Sequence, residues 1–263
     1  LNHDRIRDFC RRCPAPWMLK PRWEASASGI RKLHDEQAVF RELQFKGDKA
    51  SYMLLEGYVP GDVFHVDSII SEGKVLFAEA HRCGKPPFDV AHGGGLYSSV
   101  TVERGSQDET DLRAANEKVL HDFGHFRGVS HAEFIKGPDG KFYLLECAAR
   151  VGGAHTAELV EGATGINLWE AWADVELDGP AYTLPERRDD HGGLLMTLAK
   201  EKHPDLSSFD APEVWYRAPD EFHAGLALKS PSHARVKQLV DEYTLRLLRE
   251  YNVVLPAADR PTH

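Results

Sequence analysis

The stretch His131–Gly153, HAEFIKGPDGKFYLLECAARVGG, decides how the rest of the chain is read. Two apolar runs flank Asp139-Gly140, a strong signal for a tight β-hairpin. Each run carries one glutamate, Glu133 and Glu146, and Arg150 follows the second. If Asp139 and Gly140 form the turn, Phe134 faces Leu145, Ala132 faces Cys147, and Glu133 stands opposite Glu146. A competing register, with a Pro138-Asp139-Gly140 turn and a bulge at Gly140, slips the pairing by one and sets Glu133 against Leu145. The first register leaves one face wholly apolar and collects both carboxylates on the other, so the pattern favours it.

Directly opposed residues in an antiparallel pair bring their Cβ atoms to about 4.5–5.5 Å, and like charges there repel. A divalent cation between them reverses the sign. Mg²⁺ suits such a pair because it takes hard oxygen ligands, often one or two carboxylates together with substrate phosphates. Arg150, on the same alternating face, has the planar fork that matches a phosphate or carboxylate. Read alone, the same residues also suit a solvated sheet face with Arg150 as a surface counter-ion. Other parts of the chain must decide.

The chain has 263 residues, 42% hydrophobic and 28% charged, with a formal charge of −9. Such a balance fits a soluble globular protein and argues against a nucleic-acid or anionic-membrane binder. No apolar run approaches the roughly 18–20 residues that span a bilayer. The expected compartment is the cytoplasm. Cys10 and Cys13 form a CxxC with no second pair to complete a zinc site, so the four cysteines read as ordinary thiols in a reducing compartment. The first residue is Leu1, and a preceding N-terminal domain is expected to be missing from the sequence.

Along the chain, a polar helix over the first dozen residues leads into a strand at Trp17–Lys20 and a small-residue loop at Ala25–Gly29. A helix follows over DEQAVFRELQ, then two strands joined by Pro60-Gly61 and a third ending at Cys83. Residues 84–99, rich in Gly and Pro, read as a mobile loop. A helix over Asp108–Phe123 precedes the hairpin, and a helical segment broken near Gly165 follows it. After Pro185 the pattern restarts with strands around Gly193–Lys200 and a last helix at His233–Tyr251. Hairpin-linked strands predict an α+β class with antiparallel sheet.

Lys20 ends its strand beside a loop of small residues, through which backbone N–H groups can approach a phosphate. No GxxxxGK[ST] phosphate loop is present. Glu56 closes an apolar strand just before a hinge-like turn. Each signal is weak by itself. In order and spacing, however, MLKP with its small-residue loop, LLEGYVPGDVFHVD, GVSHAEF, YLLECAARVGG and GATGINL resemble the ATP-grasp superfamily across about Trp17–Glu176. Within it, HAEF…ECAAR and the loop EAHRCGKPPFDVAHGGGLYSS look most like the L-amino acid ligases, with biotin-carboxylase-like enzymes nearby.

The resemblance implies two lobes of antiparallel sheet with packed helices: residues 1–58 as the remainder of the first lobe, 59–185 as the second lobe with the metal hairpin, and 186–263 as a C-terminal α/β subdomain. It implies ATP contacted by Lys20, Ser26, Ser28 and Gly29 at the phosphates, and by Glu56, Gly57, Tyr58 and Val59 at the adenine. Glu133 and Glu146 would ligate Mg²⁺, with Mn²⁺ as a substitute. Arg150 and Lys20 would act on the transferred phosphoryl group. The implied reaction activates a carboxylate as an acyl-phosphate, which a small-molecule amine attacks to give an amide, ADP and phosphate. A truncated ATP-binding module and a biotin-carboxylase-like enzyme are the alternatives, and a homodimer stays open. Where most of the superfamily has an asparagine ligand in ExNxR this chain has Ala148, as the dipeptide-forming branch does. Val63 stands where a ribose-contacting acid is usual, so no ribose ligand is expected. His81, His92 and Gly153 are weaker candidates for substrate contact, and Cys147 is expected on the apolar face of the hairpin.

Overall fold

The computed structural model describes residues 2–23 and 27–254. Ser26, expected at the phosphates, lies outside the described residues. The first lobe opens with helix α1 (His3–Arg12) and strands β1 (Trp17–Pro21) and β2 (Arg31–Leu33), followed by α2 (Glu36–Lys46) and β3 (Met53–Gly57). Asp35 starts α2 by accepting a bond from the Ala38 N–H at 2.7 Å, one of the free donors of a first helical turn. The three strands pair antiparallel in the order β2-β1-β3. Alternation then sorts β1: Trp17 and Leu19 face a core with Leu33, Val39 and Leu43, while Met18 and Lys20 face the other way.

The second lobe begins with the hairpin β4 (Asp62–Ser71) and β5 (Lys74–Cys83), then α3 (Pro87–Gly93), β6 (Leu96–Thr101) and α4 (Gln107–Asp122). Next come β7 (Gly128–Lys136), β8 (Phe142–Ala148), α5 (Thr156–Thr164) and α6 (Leu168–Asp178). The chain ends in β9 (His191–Leu198), β10 (Val214–Arg217), β11 (His223–Ser230) and α7 (His233–Glu250). All eight strands form one antiparallel sheet in the order β10-β11-β9-β6-β5-β4-β7-β8. One face of its β4, β5 and β7 packs Phe64, Val66, Ala80 and Phe134 against Leu112 of α4. At one end of the opposite face, Ile69, Phe77 and Val129 pack under α5 and α6. Helix α7 covers Leu195, Leu226 and Leu228 with Val236, Leu239, Val240, Tyr243 and Leu247, the stripe expected of a helix with one buried face.

Two expectations change. Residues 84–99 are not a featureless loop: Pro87 occupies the first turn of α3, where a missing N–H costs nothing, and β6 joins β5 to β9. The segment after Pro185 is also not set apart, because β9 and β11 extend the same sheet through β6. Its Gly-rich approach hid the pairing, which lies far apart in sequence.

Candidate active site

The hairpin β7–β8 uses both registers weighed from the sequence. Near the turn, Phe134 faces Leu144 and Lys136 faces Phe142; beyond a bulge, Glu133 faces Glu146 and Ala132 faces Cys147. The turn itself closes with Gly140 N–H bonded to Gly137 O and Gly137 N–H to Lys141 O, both at 2.9 Å. Gly140 takes the left-handed conformation, at φ 77°. Pro138 has no N–H for a ladder position opposite Lys141, so the longer turn wins and shifts the register by one. Leu145 is the extra residue that shifts it back. The expected pairing of Phe134 with Leu145 is thus wrong, while that of the two glutamates stands.

The bulged residue is left out of the ladder, and its carbonyl meets the first lobe: Lys20 Nζ donates to Leu145 O at 2.7 Å. The same ammonium pairs with Glu56 at 2.8 Å and is only 13% exposed. Lys20 therefore ties the two sheets together at the floor of a cavity of about 340 Å³. Glu56, Gly57, Tyr58 and Val59 line one side, Glu133 and Glu146 the other, and Pro86–Asp89 at the start of α3 close it. Val63, Ile135 and Leu144 give it an apolar wall. From the small-residue loop, Ala27 and Ile30 reach the lining; Ser28 is buried and Gly29 turns against Pro21. Lys32 sits 3.5 Å from the centre of the Tyr58 ring and braces the hinge.

The two glutamates do not titrate alike. Burial alone would raise the Glu133 carboxyl, but His131, whose Nε2 lies 3.5 Å from it, outweighs that and holds Glu133 below its ordinary value. Glu146 is pushed up, by burial and by the charge of Glu133, against Lys20, His131 and Arg150. A pair of facing carboxylates with one member forced up is a donor set suited to a hard divalent cation, which would favour both ionised forms. Arg150 donates to Val151 O at 2.8 Å, and its charge reaches Glu146.

Behind the pair runs a polar row that crosses five strands. Thr101, His81, His65, Glu133 and Glu146 are successive cross-strand partners on β6, β5, β4, β7 and β8. A neighbouring row brings Glu79, Asp67, His131 and Ala148 together. Asp67, fully buried, offers one carboxylate oxygen to His65 Nδ1 and the other to His131 Nδ1, each at 2.8 Å. His65 Nε2 meets Ser99 Oγ at 2.8 Å. The ligand atoms of His65, Asp67 and His131 lie within 4.8 Å of one another, but they already pair among themselves and need no ion. Both histidines pull the Asp67 carboxyl far down against the cost of burial. Burial opposes charge on His131, yet Asp67 and Glu133 raise it to about 10.

His81, expected at the cleft, does not line the cavity. It is fully buried, stacked 4.8 Å from His65, and burial drives it well below its usual value toward the neutral form. His92 is exposed on α3 and bonds back to Phe88 O, one turn earlier. Gly153 lines a separate cavity with His155, Glu158 and Asp220. His65, Asp67 and His131 were missed, although DVFHVD, EAHRC and SHAEF each place two ionisable residues at i and i+2 within an apolar strand.

No protein-family model matches the chain. Over 199 residues, 68% of this chain, it is 26% identical to acetyl-CoA carboxylase 1 of Oryza sativa subsp. japonica, covering 8% of that protein. It is 26% identical over 184 residues to dapdiamide A synthase of Enterobacter agglomerans, covering 67% of this chain and 42% of that one. The chain thus spans under half the length of these curated relatives. Among solved structures, the L-amino acid ligase of Bacillus licheniformis superposes with a TM-score of 0.67 at 15% identity, over 96% of this chain and 71% of the ligase. The biotin carboxylase domain of the Hydrogenobacter thermophilus 2-oxoglutarate carboxylase, solved with MgADP, ADP and bicarbonate, superposes at 0.64 with 15% identity, over 95% of this chain and 60% of that domain. The fold is ATP-grasp. In this fold the cavity lies where the three-stranded sheet faces the β7–β8 end of the larger one. Among the described residues, no helix is long and apolar enough to cross a membrane.

Proposed function

We propose that this chain carries the ATP- and Mg²⁺-dependent step of a carboxylate–amine ligase, in which a carboxylate is phosphorylated by ATP and then captured by an amine. The observation that supports this reading most is the facing pair Glu133–Glu146 at the mouth of a cavity whose other lobe supplies Lys20 and Glu56. The apolar wall at Val63, Ile135 and Leu144 suits a purine, and backbone groups of Glu56–Val59 suit its polar edge. Lys20, already desolvated and held on Leu145 O, is placed to meet phosphate oxygens without further ordering. Mg²⁺ held by Glu133 and Glu146, with Mn²⁺ as a substitute, would neutralise the phosphate charge that builds during transfer. Arg150 carries an always-ionised fork beside Glu146, suited to the transferred phosphoryl group or an acyl-phosphate.

Ala148 in ExAxR, together with the dapdiamide A synthase relative, favours amino acids as substrates. The acetyl-CoA carboxylase relative favours a second reading, in which bicarbonate is the activated carboxylate and the acceptor is a biotin amide. ADP binding measured by calorimetry with Mg²⁺ and with EDTA tests the core of the proposal. Wild type is expected to bind with Mg²⁺, and Glu146→Gln to weaken that binding by at least tenfold. Equal binding by both proteins would sink it. ADP release with pairs of amino acids, against bicarbonate plus biotin, separates the two readings. We place the activity in the cytoplasm, in keeping with four free thiols.

A further inference from the structure

The two polar rows converge on one side chain. His131 presents Nδ1 to Asp67 Oδ1 at 2.8 Å and Nε2 to Glu133 Oε1 at 3.5 Å. Both partners are carboxylates, so its ring bridges a fully buried anchor and the proposed metal ligand nearer the cleft. Asp67 is fixed from the far side by His65, and His65 by Ser99. The ring of His131 also supports the loop that carries Arg150. A Cβ built on Gly152 would come within 2.7 Å of His131 Nδ1 and 3.0 Å of the Thr156 side chain, so this backbone lies directly on the imidazole. Only glycine fits there. Glu133 and the Arg150 loop therefore share a single support.

We propose that His131, braced by Asp67 and His65, is the positioning residue that sets Glu133 and the Arg150–Gly153 loop against each other for metal-nucleotide binding. The proposal rests on Glu133 and Glu146 being the metal ligands. Metal-binding side chains depend on the partners behind them, whose loss commonly lowers metal affinity about 10–100-fold. A wholly structural His131 would affect folding without separating metal affinity from nucleotide affinity.

The two ring nitrogens can be dissected. Asparagine places its amide near the Nδ1 position and keeps the bond to Asp67, whereas glutamine reaches the Nε2 position and keeps the contact with Glu133. Mn²⁺ titrated into the protein with saturating ADP, followed by the electron paramagnetic resonance signal of free Mn²⁺, reads metal affinity without turnover. His131→Asn is expected to bind Mn²⁺ about tenfold more weakly than wild type, and His131→Gln to recover most of that loss. ADP affinity in EDTA is expected to stay unchanged in both. His131→Asn binding Mn²⁺ like wild type, or His131→Gln binding no better than His131→Asn, overturns the proposal. If His131→Asn shows no thermal transition, Asp67→Asn keeps the ring and weakens its anchor; wild-type Mn²⁺ affinity there overturns the proposal equally. Wild type failing to bind Mn²⁺, or Glu146→Gln binding it as well as wild type, overturns the metal site itself and this inference with it.

Discussion

Glu79 and the pair Glu133–Glu146 lie on the same face of the same sheet, yet the protein surrounds them with opposite charges. Glu79 is fully buried and surrounded by guanidinium groups: Arg104 at 2.8 Å, Arg113 at 3.6 Å and Arg187 at 3.8 Å. Its charge is matched within the fold. Glu133 and Glu146 instead face one another, and the nearby Lys20 is already engaged by Glu56 and Leu145 O. A carboxylate supplied with its own cations holds a structure together; two carboxylates left to repel each other leave charge for a ligand to match. The contrast teaches where to look for chemistry in a sheet rich in ionisable residues.

Glu79→Gln should test this contrast most severely. It strands three arginines around a buried amide and is expected to cost about 3 kcal/mol, lowering the melting temperature by roughly 6–12 °C. Glu146→Gln should move stability the other way, by less than about 1 kcal/mol, because it relieves like-charge repulsion. Thermal unfolding of the two variants side by side gives the signs; a larger loss for Glu146→Gln would break the comparison.

Gly152→Ala is expected to fall between them. Its new methyl meets His131 and Thr156, which should cost about 1–3 kcal/mol in urea unfolding and weaken Mn²⁺ binding as the Arg150 loop is displaced. Unchanged unfolding would remove the loop from its place on the imidazole.

The smallest effect concerns His155, which lines the neighbouring cavity. Glu158, 3.4 Å away, raises it, burial works against this, and Asp220 at 2.6 Å raises it further. A raised histidine stabilises the fold fully below its unfolded value of about 6.5 and loses that contribution as pH climbs through the folded value. His155→Gln should therefore lower the melting temperature at pH 6 and approach wild type at high pH. The exposure of Asp220 keeps the effect under about 1 kcal/mol. A gap that widens with pH would reverse the assignment.

Much of this was legible in the sequence because hairpins are local. The Asp-Gly turn, the alternation of β7 and β8 and the lysine near the end of β1 point to Glu133, Glu146, Lys20 and Glu56, which line one cavity. The simple two-residue turn fails because Pro138 lacks the N–H that a ladder position opposite Lys141 needs. What escaped were the contacts that cross strands distant in the chain. His65, Asp67 and His131 look like scattered polar residues until the register of β4 with β7 places them side by side. The burial of His81 could not be read from its own strand, since β6 and the tail that follows Pro185 supply its surroundings.

The bulge at Leu145 gives residue count a mechanical meaning. One surplus residue in β8 both restores the glutamate pair and turns a carbonyl outward to the Lys20 ammonium of the opposite lobe. Deleting that residue would leave Phe134–Leu144 and Glu133–Glu146 in one continuous register and remove the carbonyl that holds the lysine. A single surplus residue in one strand thus serves as the fastening point between two sheets.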